Sequence, residues 1–192
     1  KKVGLEDYGK PNNYVARQIE RWSRQYRASE TDNIEAMNNL IEWLPKNIPS
    51  DDATSIVHGD FRLDNMIYKN NEVIGVLDWE LSTLGHPVAD FSYHCLTWRT
   101  EPIFYDHPKL KELGVPNEIE YRDMYSESTG QDLSENWEYY MAFNIFKVAA
   151  ICQGILGRVR DGTAANKHAE DRGMKVYPLS EGAWSIVENN FK

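Results

Sequence analysis

Three residues within one short stretch have the types and spacing to do chemistry. In residues 56–78, IVHGDFRLDNMIYKNNEVIGVLD, Asp60 follows Gly59 in a His-Gly-Asp turn, Asn65 stands five residues later and Asp78 ends the next apolar run. A carboxylate can accept a hydroxyl proton, while an amide oxygen and a second carboxylate are hard ligands for magnesium. Phosphoryl transfer to an alcohol requires that set, together with cation density for the transferring oxygens. Alone, each residue has a plainer role: Asp60 as the acceptor of an Asx turn, Asn65 as a strand-entry residue, Asp78 as a strand-end cap. In this order, at the interval that an H-x-D-x-x-x-x-N loop uses to bring an amide oxygen to the metal, they read together as a magnesium phosphotransferase loop.

The neighbouring polar residues divide between chemistry and support. Arg62, two residues beyond Asp60, is placed either to meet the γ-phosphate oxygens or to pair with Asp64, and the sequence leaves both open. His58 reads as structural, its ring donating to the loop backbone. Asp90 opens a helix, where it either binds backbone N–H groups of the loop or complements the helix dipole. Glu80 reads as a surface acid. His58, His86 and His94 have neither HxxxH nor HxH spacing, which argues against zinc.

These residues must be positioned by a body that reads as mainly helical. Val15, Ile19, Trp22 and Tyr26 recur at helical spacing and predict a helix over 14–27 with Asn13 as N-cap. Ile34, Met37, Leu40, Ile41 and Leu44 mark a second, ended by Pro45 and Pro49. A short strand is predicted at 54–57, and 66–68 with 73–77 form a hairpin turned near Asn70 and Asn71. WELSTLGHP then loops out, and Pro87 begins a helix carrying Val88, Phe91, Cys95 and Trp98. Residues 100–117, with three prolines, read as an irregular connection of a length often functional. Helices follow over 118–128, 135–158 and 178–190, with a polar, partly helical 161–173. No internal repeat or linker interrupts the chain, so residues 1–192 read as one unit, a small hairpin set in a helical body.

Composition narrows the function classes. Thirty acidic and twenty-one basic residues give a formal charge of -9 with no basic block, which argues against nucleic acid as a partner. Cys95 and Cys152 lie far apart in apolar contexts, and unpaired small hydrophobes of this kind fit a reducing cytoplasm. No charged-then-apolar leader opens the chain and no apolar run approaches the roughly 18 residues needed to span a bilayer, so the expectation is a soluble protein with no membrane partner.

HGDFRLDN at 58–65 and VLDWELSTLGHPVAD at 76–90 closely resemble the aminoglycoside phosphotransferase family. More narrowly they resemble the branch homologous to the phosphotransferase-like domains of some acyl-CoA dehydrogenases, and YVARQIERWSRQYRAS and LIEWLP extend the resemblance over nearly the whole chain. The resemblance implies an α+β, protein-kinase-like fold in which this chain is the mainly helical C-terminal lobe with a catalytic β-hairpin. It implies Asp60 as catalytic base, Asn65 and Asp78 as magnesium ligands on the nucleotide side, and Asp90 as the acid supporting the loop. ATP and magnesium are the implied cofactors, and the implied acceptor is a small hydroxylated molecule, a hydroxyacyl-CoA or hydroxy acid in this branch.

Two departures qualify it. Trp79 replaces the Phe of the protein-kinase DFG motif, which argues against a swinging activation segment. Nothing before Asn13 supplies a Gly-rich phosphate-covering loop, a strand Lys or its Glu partner, so the nucleotide lobe is expected to be absent from this chain and the surface it would cover to be apolar, a place for a homodimer to form. The alternative function is a non-catalytic binding module of kinase-like fold. Metal-dependent hydrolysis needs more ligands than the spacing supplies.

Overall fold

The computed structural model describes residues 7–51, 53–104, 112–133 and 135–191, with the side chains of 101–104 outside that description. Its framework follows from one apolar segment. Helix α6 (Trp137–Arg160) is apolar nearly all round and buries residues on every face, from Trp137, Tyr139 and Tyr140 through Phe143 and Phe146 to Cys152 and Gly157. A helix of that kind must sit at the centre of a core. An 18-residue window of it is apolar enough to cross a bilayer, contrary to the sequence expectation, yet 72% of that window is buried inside the protein.

The other helices cover α6. The first, α1 (Tyr14–Ser29), starts at Asn13, whose carbonyl accepts from Arg17 N–H, and buries Val15, Ile19 and Tyr26. Helix α2 (Glu35–Trp43) buries Ala36, Met37 and Leu40 and tightens into a 3-10 turn at Leu44–Lys46, where Pro45 has no N–H to continue an α-helix. Helices α3 (Pro87–His94), α4 (Thr97–Phe104), α5 (Glu118–Thr129), α7 (Ala169–Gly173) and α8 (Val176–Phe191) complete the body, with α8, α1, α7 and α3 packing on α6. Buried polar groups fix the crossings: Asn144 Nδ2 donates to Ala89 O at 2.9 Å and Ser92 Oγ at 2.8 Å, joining α6 to α3. Gln153 Nε2 donates to Ser29 O at 2.7 Å and joins α6 to α1.

Two small antiparallel sheets sit on this body. Strands β2 (Met66–Lys69) and β3 (Glu72–Val76) form the predicted hairpin, with Met66 opposite Val76 and Lys69 opposite Glu72. Its turn residues Asn70 and Asn71 have φ of 53° and 63°, the two left-handed positions of a tight hairpin turn. Strand β1 (Ser55–Val57) pairs with β4 (Thr83–Gly85), Ile56 opposite Leu84.

Strand β4 corrects the loop expected there. Three residues are too short for an alternating pattern, and the partner lies far back in sequence. Two further differences concern the helices. The helix expected to run from Pro87 past Trp98 breaks at Cys95 and Leu96, and α4 occupies part of the expected irregular connection. Thr100 holds α4 to the break by donating from both N–H and Oγ1 to Leu96 O. Residues 105–111 of that connection lie outside the described residues.

Candidate active site

The turn at His58–Asp60 is shaped by backbone before any chemistry is considered. Gly59 has φ of 86°, and a Cβ there would lie 2.8 Å from Leu81 O, so no larger residue fits. Asp90, in the first turn of α3, reaches back over this turn: its Oδ2 accepts from His58 N–H and its Oδ1 from Gly59 N–H, both at 2.8 Å. One carboxylate thus satisfies two consecutive amides. The His58 ring, 4% exposed, lies 2.8 Å from Leu77 O through Nε2 and accepts from Asp60 N–H at Nδ1, 3.3 Å away. A carbonyl only accepts, so Nε2 is the donor and Nδ1 the acceptor. Leu77 is held on its other side too, since its N–H donates to Asn65 O at 2.8 Å. These bonds join the turn, the hairpin and the start of Asp78.

Asp60 lies where these supports converge. Tyr93 Oη donates to its Oδ1 at 3.2 Å, and Asn65 Nδ2 donates to its Oδ2 at 3.1 Å and to its backbone carbonyl at 2.9 Å. Arg62 Nε stands 3.3 Å from Oδ2 and Arg62 Nη1 3.4 Å from Asp64, so the arginine bridges both acids. Burial, then the Asp60 charge, push the Tyr93 phenol well above its ordinary range, so it remains a donor. Asp78 is exposed and has φ of 64°, a left-handed conformation that Asp tolerates better than branched residues. The structure therefore brings His58, Asp60, Arg62, Asn65 and Asp90 into one bonded network and attaches Asp78 to it through Leu77.

Two residues absent from the sequence reading belong to the site. Tyr93 lies one turn after Asp90 on α3, an i,i+3 relation that a helical reading of 87–94 contains. Lys147, on α6, lies 3.4 Å from Gly59 O through Nζ, with Nζ 4.1 Å from the centre of the Tyr93 ring. Its signal is a cation between Phe146 and Val148 in mid-helix, well before the basic last turn of Arg158 and Arg160. Burial lowers its pKa to about 8 against the pull of Asp90 and Asp60.

His94 and His86 are occupied elsewhere. His94 Nδ1 donates to Phe61 O at 3.0 Å and its Nε2 is 3.1 Å from Tyr121 Oη, and burial lowers its pKa below the usual histidine value. His86 is buried against Tyr140, with Nε2 3.2 Å from Tyr140 Oη. Among the described residues no three His, Cys, Asp or Glu side chains could hold a metal by themselves. Two hard oxygen donors attached to this network carry no protein partner among the described residues: Asn65 Oδ1, whose amide nitrogen is engaged with Asp60, and the exposed Asp78 carboxylate. That pair suits magnesium, which takes one or two protein oxygens and completes its shell with water and phosphate.

The Phosphotransferase enzyme family (APH) matches over residues 1–132. The chain is 43% identical to mouse acyl-CoA dehydrogenase family member 10 over 96% of its own length and 18% of that protein. It is 36% identical to human acyl-CoA dehydrogenase family member 11 over 97% of its length and 25% of that protein, and 37% identical to a probable acyl-CoA dehydrogenase of Arabidopsis thaliana over 96% and 25%. The chain thus spans about a fifth to a quarter of these relatives. Among solved structures, a candidate aminoglycoside phosphotransferase from Ralstonia eutropha superposes with a TM-score of 0.91 at 48% identity, covering 98% of this chain and 59% of that one. The kinase-like helical body with its small sheets and the HGDFRLDN turn agree with these matches, and the chain belongs to the aminoglycoside phosphotransferase (APH) family of phosphotransferase enzymes, in the branch that includes a segment of these acyl-CoA dehydrogenase family members.

Proposed function

We propose that the protein transfers the γ-phosphoryl group of ATP to the hydroxyl of a small molecule, with this chain forming the C-terminal lobe that presents the acceptor. The carrying observation is the Asp60 carboxylate, fixed through both oxygens by Tyr93 and Asn65 on a turn that Asp90 holds rigid. A carboxylate so oriented accepts a hydrogen bond from an incoming hydroxyl and takes its proton as the bond to phosphorus forms. Asn65 Oδ1 and the Asp78 carboxylate are the residues that would hold magnesium, which neutralises phosphate charge when bound with the nucleotide. Arg62 bridges Asp60 and Asp64 at the mouth of the turn, placed to supply cation density to the transferring oxygens. His58 ties the turn to the residue before Asp78.

Exposed Ile56, Ile67, Val73, Ile74, Leu77, Trp79 and Leu81 crowd the strands and the turn after Asp78. Exposed apolar side chains at that density around the hairpin support a nucleotide lobe docking there. The branch directs the acceptor search to hydroxyacyl-CoA thioesters and hydroxy acids before aminoglycosides. The test is acceptor-dependent ADP release by the full-length protein across a panel of hydroxylated metabolites. Asp60→Asn is expected to lower kcat by about 10²- to 10⁴-fold, and chelation of divalent metal to abolish the signal. ADP release that is absent from the wild type, or equal in Asp60→Asn, overturns the assignment.

A further inference from the structure

An ammonium in the middle of α6 needs a reason. Lys147 lies between Phe146 and Val148 in a helix whose neighbouring turns are buried and apolar, and an aliphatic side chain would fill the same space without desolvating a charge. Its Nζ stands 3.4 Å from Gly59 O, 4.1 Å from the Tyr93 ring centre and 5.8 Å from that of Trp22, so a carbonyl and two ring faces flank the charge of this half-buried side chain. Both nearer partners connect directly to Asp60. Gly59 precedes it in the chain, and the Tyr93 hydroxyl donates to its Oδ1. The groups acting on the ammonium electrostatically are the Asp60 and Asp90 carboxylates, which favour it, and Arg21 on α1, which opposes it.

We infer that Lys147 is a positioning residue: its ammonium clamps the Gly59 carbonyl and the Tyr93 ring, and through them sets the Asp60 carboxylate toward the acceptor hydroxyl. Lys147 touches no reacting atom. The catalytic half of this inference rests on the phosphotransfer reading, while the clamp on the loop stands on geometry alone. The arrangement trades stability of α6 for rigidity of the turn.

The two halves separate in one set of measurements on the full-length protein carrying Lys147→Met or Lys147→Arg. Hydrogen exchange followed by mass spectrometry reads the 56–66 segment, whose His58 and Gly59 amides are bonded to Asp90, with α8 segments as internal reference. Lys147→Met is expected to speed exchange in 56–66 about tenfold, leave α8 unchanged and melt no lower than wild type. Its kcat for ADP release is expected to fall about 10- to 100-fold with KM for ATP within about twofold, the pattern of a displaced group rather than lost binding. Lys147→Arg, which keeps a cation over the ring, is expected to retain loop exchange within about threefold of wild type. Wild-type exchange of 56–66 in Lys147→Met overturns the inference, as does acceleration there that merely matches α8. Faster loop exchange in Lys147→Met with no ADP release from any form removes the phosphotransfer reading and upholds the clamp.

Discussion

Asp60 has two unlike oxygens: one accepts from a neutral phenol, the other from an amide and a nearby guanidinium. The phenol is the partner most open to test, because Tyr93→Phe keeps the ring under Lys147 and removes only the hydroxyl. A hydrogen bond to a charged group contributes about 1.5–3 kcal/mol, so kcat for ADP release is expected to fall about 10- to 100-fold. Thermal stability should change little, since the lost bond is at the edge of the core. An unchanged kcat would show that Asn65 alone orients the carboxylate. Tyr93 also shows where reading a sequence stops. Asp60, Asn65 and Asp78 share one hairpin, so their relation is visible as spacing. Tyr93 reaches Asp60, and Lys147 the Gly59 carbonyl before it, from helices 33 and 88 residues farther on, and only the packing of α3 on α6 brings them there. Asp90 was legible as a helix-start acid with the loop's backbone N–H groups as one of two open roles, and the contact of α3 with β1 decides between them in favour of the two consecutive amides.

At the scale of elements, the turn between β1 and the hairpin is tightly constrained backbone. Gly59 combines a left-handed φ with the close approach of Leu81 O, and Leu81 belongs to the 3-10 turn that leads into β4, the strand paired with β1. Gly59→Ala therefore strains its own residue and pushes on the segment that closes the second sheet. A cost of about 1–3 kcal/mol is expected in urea unfolding, with faster exchange of 56–66 and of β4 together. If the two segments respond separately, β4 is not coupled to the turn as the geometry requires. The helices were legible in place and approximate length because their apolar stripes are long. What escaped were features set by tertiary contact: β4, whose partner lies 26 or more residues earlier, and the break at Cys95 that turns one expected helix into two.

Across the whole molecule, α4, α5 and α6 meet at Arg99. Its Nη2 donates to Glu118 Oε1 at 2.7 Å and to Glu138 Oε1 at 2.9 Å, Nε engages Glu118 Oε2, and Trp137 Nε1 donates to Glu118 Oε1 at 2.7 Å. Glu118 opens α5 beside an Asn117–Glu120 capping box, so this cluster fixes a helix with no fully buried residue to the α6 core. The partly buried site desolvates Glu118, which works against its charge, yet the bonds from Arg99 and Trp137 prevail and hold its pKa below the usual value. A carboxylate with a depressed folded pKa contributes stability above its unfolded pKa and loses it as pH falls through the folded one. Arg99→Leu leaves Glu118 and Glu138 facing each other without their cation, and the expected loss near neutral pH is about 2 kcal/mol, reduced from the value for a deeply buried pair because all three side chains retain some solvent. That loss should shrink as pH falls out of the ordinary carboxylate range and through the lowered folded value of Glu118, where its carboxylate protonates and no longer needs the guanidinium. Urea denaturation of both forms from pH 3.5 to 7 measures the two curves. A gap that stayed constant across that range would mean that Arg99 holds the three helices by packing of its aliphatic stem rather than by charge.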